Sequence, residues 1–264
     1  MIPAEVRTPI DEIVAGLKAA LGKNVVGVYL HGSAVLDSFG PWSDIDLILV
    51  VDHPLDDDDK RRVAELLLRS SGGYEQQNPR RPVELDVMRE VALRAWRHPA
   101  PFEFHYSESH RDRFEAGKLE TGVSSTNRDL AAHVAVLREA GVALVGPPPR
   151  EIFPAVPWEH FRDALLYELE SWIDDSDVWR IPGAIRNSAL TRARMWATLA
   201  TGELHSKKTG AEWALPLLRD ELRPVLEHAR DLHSGAALCV RWRELPLDDY
   251  LAATRAEIEA LTQR

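Results

Sequence analysis

The chain has 264 residues, 45% of them hydrophobic and 28% charged, which is the composition of a globular protein with one large domain or two of ordinary size. Its formal net charge of −10 argues against binding long nucleic acid, because such proteins normally present a clustered basic face. The single cysteine excludes an internal disulfide, and no apolar stretch is long enough to cross a membrane. We therefore expect a cytoplasmic protein with a small-molecule partner and no nucleic-acid or membrane partner.

Hydrophobic periodicity predicts helices and strands in the first half of the chain. Four consecutive aspartates, Asp56 to Asp59, lie at the start of the second long helix, where they complement the positive end of its dipole. The predicted elements are, in chain order, a helix at 4–22, a strand at 25–30, a short helix near 33–37, a strand at 45–51, a helix at 57–70, strands at 82–88 and 102–106, a helix at 128–140 and a turn at 145–149.

The second half of the chain predicts helices alone, separated by proline, glycine or polar breaks. Their expected positions are 158–174, 184–201, 208–217, 220–233 and 247–262. This change of pattern predicts two domains, an α/β (α+β) domain over residues 1–155 and an all-α helical domain over residues 156–264.

The segment from Val28 to Val51 carries the clearest chemical signal and reads VYLHGSAVLDSFGPWSDIDLILVV. Side chains alternate along a strand, so Asp44 and Asp46 point to the same side while Ile45 turns into the core. A fold tolerates two such close carboxylates most readily when divalent cations lie between them.

The same segment contains a glycine and serine suited to phosphate. Gly32 lets the backbone come close to a phosphate group, and Ser33 offers a hydroxyl and an N–H at the start of a helix. A phosphate cradle beside a metal-binding carboxylate pair is the equipment of nucleotidyl transfer. The residues therefore predict a nucleotidyltransferase.

A third carboxylate is expected on a neighbouring strand. In that chemistry Asp44 and Asp46 would bind two Mg²⁺ ions, which prefer hard oxygen ligands. Glu84 could be a third ligand, but we favour it as the general base that takes the proton from the acceptor hydroxyl. Asp86, on the same face, is a reserve ligand or a substrate contact.

Ser33 and Ser43 would contact triphosphate oxygens in this scheme. Fixed cations are needed to meet the charge of the departing pyrophosphate. Arg194 and either Lys207 or Lys208 are the candidates in the helical half, and the pattern alone does not choose between the lysines.

The whole chain resembles the aminoglycoside (3″)(9) adenylyltransferases, resistance enzymes that transfer AMP to streptomycin and spectinomycin. The segments that carry the resemblance, in the family's order, are VYLHGSAVLDSFGPWSDIDLILVV, RPVELDVM, WRHP, VALVGP, RNSALTRARMWATLATGELHSKKTGAEWALP and RPVLEHAR. The resemblance implies an N-terminal nucleotidyltransferase domain with a mixed sheet and a C-terminal helical domain, with ATP as the co-substrate and Mg²⁺ as the cofactor.

Site residues follow from the resemblance position by position. The family's metal-binding pair corresponds to Asp44 and Asp46, and its catalytic base to Glu84. A tyrosine that reaches the nucleotide in the family corresponds to His233. The other implied nucleotide contacts are Gly32, Ser33, Ser43, Asp129, Arg194 and Lys207.

The chain departs from the family where streptomycin is bound. Ser109 takes the place of a tryptophan, and Ala184 takes the place of an aspartate that would hold a cationic or hydroxyl-rich ring. Because a charge-assisted hydrogen bond is lost with that acid, we expect a spectinomycin-like acceptor rather than streptomycin. An unrelated aminocyclitol or another hydroxylated acceptor is the open alternative. The candidate replacement acids are Glu103, Glu108, Asp174, Asp175 and Asp177.

Two other functions are compatible with parts of the pattern. One is a toxin–antitoxin type nucleotidyltransferase that adenylylates a protein or tRNA, although small members of that group lack a substantial helical domain. The other is a nucleotide-binding regulator without catalysis, which would normally have lost one of the three carboxylates. A monomer is the expected oligomeric state.

Overall fold

A computed structural model describes residues 2–73, 80–118, 125–171, 183–237 and 241–262. These residues form two compact units, one built from residues 1–35 and 43–164 and the other from residues 36–42 and 165–264. Across the described ranges, no helix combines the length and apolarity that a bilayer crossing would require. The predicted domain boundary between residues 155 and 156 stays a prediction.

The described elements follow the predicted order closely. The strands are β1 (Val25–Leu30), β2 (Ile45–Val51), β3 (Val83–Arg89), β4 (Ala100–Phe102), β5 (Phe104–Tyr106), β6 (Ser125–Asn127) and β7 (Val142–Val145). The α-helices are α1 (Ala4–Leu21), α2 (Asp57–Ser70), α3 (Glu90–Arg94), α4 (Arg111–Glu115), α5 (Leu130–Ala140), α6 (Pro149–Ile152), α7 (Trp158–Ser171), α8 (Ala184–Thr201), α9 (Lys207–Ala214), α10 (Arg223–Ser234) and α11 (Leu247–Thr262).

The first unit is built on a mixed sheet with the strand order β5-β3-β2-β1-β7. Strands β2 and β3 are parallel, and the other neighbouring pairs are antiparallel. A separate two-stranded sheet pairs β4 with β6. The mixed sheet and the helical second half confirm the predicted fold class.

Strand alternation decides which side chains of β2 and β3 face helix α5. Ile48, Val50 and Met88 form one apolar cluster with Leu130, Val134 and Leu137 of α5. Asp46 and Glu84 are an even number of positions from these apolar residues, so they lie on the same face nearer the strand starts. On α1, a buried stripe at helical spacing packs toward α2 and β1; its residues are Val6, Ile10, Ile13 and Leu17.

The second unit is organised around α8, against which α9, α10 and α11 pack. The Tyr250 hydroxyl of α11 donates a hydrogen bond to the Ala189 carbonyl of α8 at 2.8 Å. Helix α9 approaches α8 so closely that a Cβ on Gly210 would lie 2.5 Å from the Arg194 Cα. This contact fixes the two helices that carry Arg194 and Lys207.

The differences from the predicted elements concern short segments. The expected strand at 102–106 is two strands in different sheets, β4 and β5, and the expected helix near 33–37 is a 3₁₀ turn at Gly32–Ala34. Strands β6 and β7 were not predicted. Their pairing depends on distant partners, which local alternation does not identify.

We expect Gly210→Ala to lower the free energy of unfolding of the second unit by about 1–3 kcal/mol, because the added methyl meets backbone atoms that cannot rotate away. Urea unfolding followed by tryptophan fluorescence measures the change. Glu212→Ala, on an exposed position of the same helix, is the matched control and should stay within about 0.5 kcal/mol of the parent protein. Equal effects of the two substitutions would contradict the close-packing interpretation.

Candidate active site

Three carboxylates meet where β2 and β3 begin. Asp44 immediately precedes β2, and Asp46 and Glu84 are register partners across the parallel pair. One oxygen from each of the three groups lies within 4.8 Å of the others. The parallel register therefore brings together the three acids that the sequence singled out, and hard oxygen donors at this spacing fit a divalent cation such as Mg²⁺.

Gly32 leaves room for Asp46. It has a φ of +65°, and a Cβ built on it would overlap the Asp46 carboxylate. The backbone N–H of the preceding His31 donates to the Asp46 carbonyl at 3.0 Å. The position of the Asp46 carboxylate therefore requires a glycine at residue 32. The sequence pattern indicates only that this glycine lets the backbone approach a phosphate.

The two serines near the acids differ in their surroundings. The Ser33 hydroxyl is buried and has no hydrogen-bond partner within the described residues. Ser43 is buried at 4% exposure directly before Asp44. A buried hydroxyl without a protein partner beside a carboxylate cluster fits a site that receives a polar ligand or a metal-bound oxygen.

The surroundings of Glu84 shift its pKa upward. Burial, together with the charges of Asp86 and Asp44, raises the pKa of Glu84 to about 7, although the charges of His133 and His105 act in the opposite direction. A carboxyl group with a pKa near neutrality can accept a proton and release it again at physiological pH.

Asp86 belongs to a buried cluster that sequence reasoning missed. It is 2% exposed, its Oδ1 lies 2.8 Å from His105 Nδ1, and its Oδ2 lies 3.5 Å from His133 Nδ1. Burial would raise the pKa of Asp86, but the hydrogen bond from His105 and the charges of both histidines outweigh it and lower the pKa. Asp86 is therefore engaged by histidines within the first unit.

Two polar side chains near Glu84 and Asp86 come from helix α5 and its N-terminus. Asp129 stands at its N-terminus, and His133 follows one turn later on the same face. Burial lowers the pKa of His133, but Asp86 and then Glu84 and Asp129 raise it to about 10. The His133 ring also lies against His31, with ring centroids 5.0 Å apart. The i, i+4 spacing from Asp129 was the one local signal that could have identified His133.

In the second unit, His233 of α10 contacts the segment at residues 36–42. Its Nε2 lies 2.9 Å from the Ser38 carbonyl and donates to it, and a Cβ on Gly40 would strike the His233 carbonyl. Burial and the Lys207 charge lower the pKa of His233 to about 4, despite the opposing effect of the Ser38 bond. His233 is therefore neutral at pH 7, and its buried Nδ1 has no partner among the described residues.

The implied cationic contacts also lie in the second unit. Arg194 on α8 donates to both Glu168 carboxylate oxygens, at 3.1 and 3.0 Å. Lys207 begins α9, next to the Ser206 N-cap, and Lys208 pairs with Asp37 at 3.1 Å. The sequence-based choice of Lys207 over Lys208 stays a prediction.

Two candidate acids for a cationic acceptor are already paired. Glu108 is 8% exposed and accepts hydrogen bonds from Tyr106 and Arg111, and Glu103 forms an ion pair with Arg89 at 3.0 Å. Ser109 bonds to a neighbouring serine. The three remaining candidates, Asp174, Asp175 and Asp177, lie outside the described residues.

The position that carries Ala184 is buried, and the preceding residue, Gly183, lies against a cation: a Cβ built on Gly183 would be 3.0 Å from Arg186 Nη2. Arg186, on the same first turn of α8, is 5% exposed and lies over the Trp42 ring at 5.0 Å from its centroid. Its guanidinium also donates to Asn187. Trp42 and Arg186 were not among the predicted site residues, because neither a lone tryptophan nor a lone arginine has a distinctive spacing.

We expect Gly32→Ala to displace the Asp46 carboxylate and to weaken divalent-cation binding, because the methyl and the carboxylate compete for one position. The left-handed backbone adds a cost of about 1–2 kcal/mol. Mn²⁺ titration monitored by electron paramagnetic resonance, together with urea unfolding, measures both effects. Gly117→Ala is the control, since Gly117 has a similar φ of +67° and open space around it. Unchanged Mn²⁺ affinity in Gly32→Ala would contradict the expectation.

We expect His233 to make the stability of the second unit depend on pH between about 4 and 6.5, its folded and ordinary pKa values. In this window the unfolded chain binds a proton that the folded chain does not, so stability rises with pH. Replacing His233 by Gln, which can still donate to Ser38, should remove up to about 1.4 kcal/mol per pH unit of that slope. Urea unfolding at several pH values measures it, and identical slopes would contradict the assignment.

Comparison with known proteins agrees with both halves of the chain. The nucleotidyltransferase domain family matches residues 10–100, and the family described as aminoglycoside adenylyltransferase, C-terminal domain, matches residues 151–262. A solved spectinomycin adenyltransferase from Enterococcus faecialis, crystallised with ATP and spectinomycin, has the same fold, with a TM-score of 0.86, 24% identity, and 96% of this chain and 98% of that chain covered.

Two curated relatives are similar over most of their length. The spectinomycin 9-adenylyltransferase of Staphylococcus aureus (strain Mu50 / ATCC 700699) is 36% identical over 219 residues, which cover 83% of this chain and 82% of that protein. The aminoglycoside (3'') (9) adenylyltransferase of Shigella flexneri is 32% identical over 255 residues, 97% of this chain and 95% of that protein. The chain therefore belongs to the aminoglycoside adenylyltransferase family and is a nucleotidyltransferase.

Proposed function

We propose that the protein transfers AMP from ATP to a hydroxyl group of an aminocyclitol antibiotic of the spectinomycin type and releases pyrophosphate. The observation that carries this proposal is the meeting of Asp44, Asp46 and Glu84 within 4.8 Å at the start of two parallel strands. Family membership supports AMP transfer to an aminoglycoside as the general reaction.

Mg²⁺ is the proposed cofactor, with two ions held by Asp44 and Asp46 and with Glu84 as a candidate third ligand. The all-oxygen donor set and the unpartnered Ser33 hydroxyl support this choice. When bound, the ions would lower the pKa of the attacking hydroxyl and neutralise the phosphate charge.

Glu84 is proposed to be the general base. Its carboxylate takes the proton of the acceptor hydroxyl, the hydroxyl oxygen forms a bond to the α-phosphorus, and the bond from that phosphorus to the bridging oxygen breaks. The bridging oxygen leaves with the β- and γ-phosphates as pyrophosphate. A pKa of about 7 suits Glu84 to this proton transfer, because both of its protonation states are accessible near neutral pH.

The nucleotide contacts are proposed on the same basis. Ser33 and Ser43 would hydrogen-bond to triphosphate oxygens, and Arg194 and Lys207 would meet their charge. Arg194 would exchange part of its bond with Glu168 for a phosphate oxygen. Asp129 and the unpartnered Nδ1 of His233 are proposed as further nucleotide contacts.

The proposed preference for a spectinomycin-like acceptor rests on the residues at positions 109 and 184, where the chain departs from its family. Ser109 is hydrogen-bonded to Ser107, and the Arg186 guanidinium lies against Gly183, the residue that precedes Ala184. A cation there disfavours the strongly cationic guanidinium groups of streptomycin. The name of the Staphylococcus aureus relative also favours spectinomycin. Action as a cytoplasmic monomer stays a prediction.

Pyrophosphate release with labelled ATP, Mg²⁺ and a panel of aminoglycosides and aminocyclitols tests the function. We expect release that depends on spectinomycin and is much slower with streptomycin. Label on a protein or tRNA, or tight ATP binding without turnover for every acceptor, would contradict the proposal.

Glu84→Gln should retain ATP binding while transfer falls by at least about a hundredfold, because the amide cannot accept the proton. Calorimetry with ATP and Mg²⁺ and the pyrophosphate assay measure the two properties separately. Glu65→Gln is the matched control, since that acid is exposed on α2 and is assigned no role in binding or in the reaction. Transfer by Glu84→Gln at the parent rate would rule out Glu84 as the base.

A further inference from the structure

We propose that Glu84, Asp86 and His133 form a second cation site, selective for a divalent transition ion such as Zn²⁺ over Mg²⁺. One ligand atom from each of these residues lies within 4.8 Å of the other two. Glu84 and Asp86 lie on one face of β3, and His133 reaches them from α5. Two carboxylates and one imidazole are a mixed oxygen and nitrogen donor set, unlike the all-oxygen group of Asp44, Asp46 and Glu84.

The gap between His133 and Asp86 has the size that a shared ion requires. Their Nδ1 and Oδ2 atoms are 3.5 Å apart, longer than a normal hydrogen bond, and Nδ1 has no hydrogen-bond partner within the described ranges. Two ligands of a tetrahedral Zn²⁺ at about 2.0 Å would lie about 3.3 Å from each other. A small shift of either side chain therefore suffices for both to bind one ion.

Asp86 is already oriented as a metal-binding carboxylate normally is. Its other oxygen, Oδ1, is fixed by His105 Nδ1 at 2.8 Å, which leaves Oδ2 directed at His133. Such hydrogen bonds from outer residues hold ligands in position in protein metal sites. His105 is therefore a positioning residue for this site.

The donor set determines which ion is favoured. Imidazole nitrogen binds Zn²⁺ and neighbouring transition ions well, whereas Mg²⁺ prefers oxygen ligands and retains its waters. The negative charges of Glu84 and Asp86 would attract a cation to this group of ligands.

Glu84 belongs to both groups of ligands, so the two sites compete. A transition ion bound by Glu84, Asp86 and His133 would withdraw Glu84 from the Mg²⁺ group and from proton transfer. Zn²⁺ should therefore inhibit Mg²⁺-supported transfer, an effect that rests on the proposed function. Binding of Zn²⁺ itself does not depend on that function.

Calorimetric titration of the full chain with Zn²⁺, without Mg²⁺ or ATP, tests the site directly. Asp44→Asn removes a ligand of the first group only and should retain Zn²⁺ binding. His133→Leu should weaken it by more than about tenfold, and His105→Leu by about tenfold through loss of orientation. His53→Leu, an exposed histidine, is the matched control and should bind as the parent protein does.

The ligand atom can be identified by nitrogen NMR. Zn²⁺ should shift the His133 Nδ1 resonance, which is assigned by its loss in His133→Leu. If that variant fails to fold, His133→Gln, which keeps a polar side chain of similar size, should show the same loss of affinity. Equal Zn²⁺ affinity in the parent and His133 variants, or an unshifted Nδ1 resonance, would overturn the proposal, whatever the outcome of the transfer assay.

Discussion

Electrostatic repulsion among the carboxylates at the start of β2 and β3 is the constraint on which the first unit depends. Two unit charges about 4 Å apart repel by about 4 kcal/mol at an effective dielectric constant of about 20. Asp44, Asp46 and Glu84 lie within this range of one another, and the parallel register holds them there. A proton or a cation among such groups relieves their repulsion. Burial first, and then the charges of Asp86 and Asp44, raise the pKa of Glu84 and so favour its protonated form.

The surrounding residues are arranged around the same constraint. Gly32 lacks the side chain that would collide with Asp46, and apolar residues of β2, β3 and α5 fix the strands behind the acids. Below Glu84, Asp86 carries a further negative charge, which His105 and His133 offset. The sheet thus carries two groups of acids. The charge of Asp86 is offset by histidines of the protein, whereas Asp44, Asp46 and Glu84 are suited to bind ions from solution.

Local pattern was sufficient to find the acids. The alternation of β2 and β3 and the spacing of Asp44 and Asp46 are local properties of the sequence, so the carboxylate group and most long helices could be predicted. The pairing of Asp86 with two histidines could not, because the three residues come from separate segments whose approach depends on sheet order. For the same reason the sequence could not show that the 102–106 segment divides between two sheets.

The segment at residues 36–42 has a consequence for dividing the chain. It is flanked on both sides by residues of the first unit, yet it packs with the second, where Ser38 and Gly40 contact His233. No single cut can therefore yield two fragments that each contain one complete unit. A fragment ending near residue 164 would carry this segment without the helix that holds it, so separate expression of the halves calls for redesign of that loop.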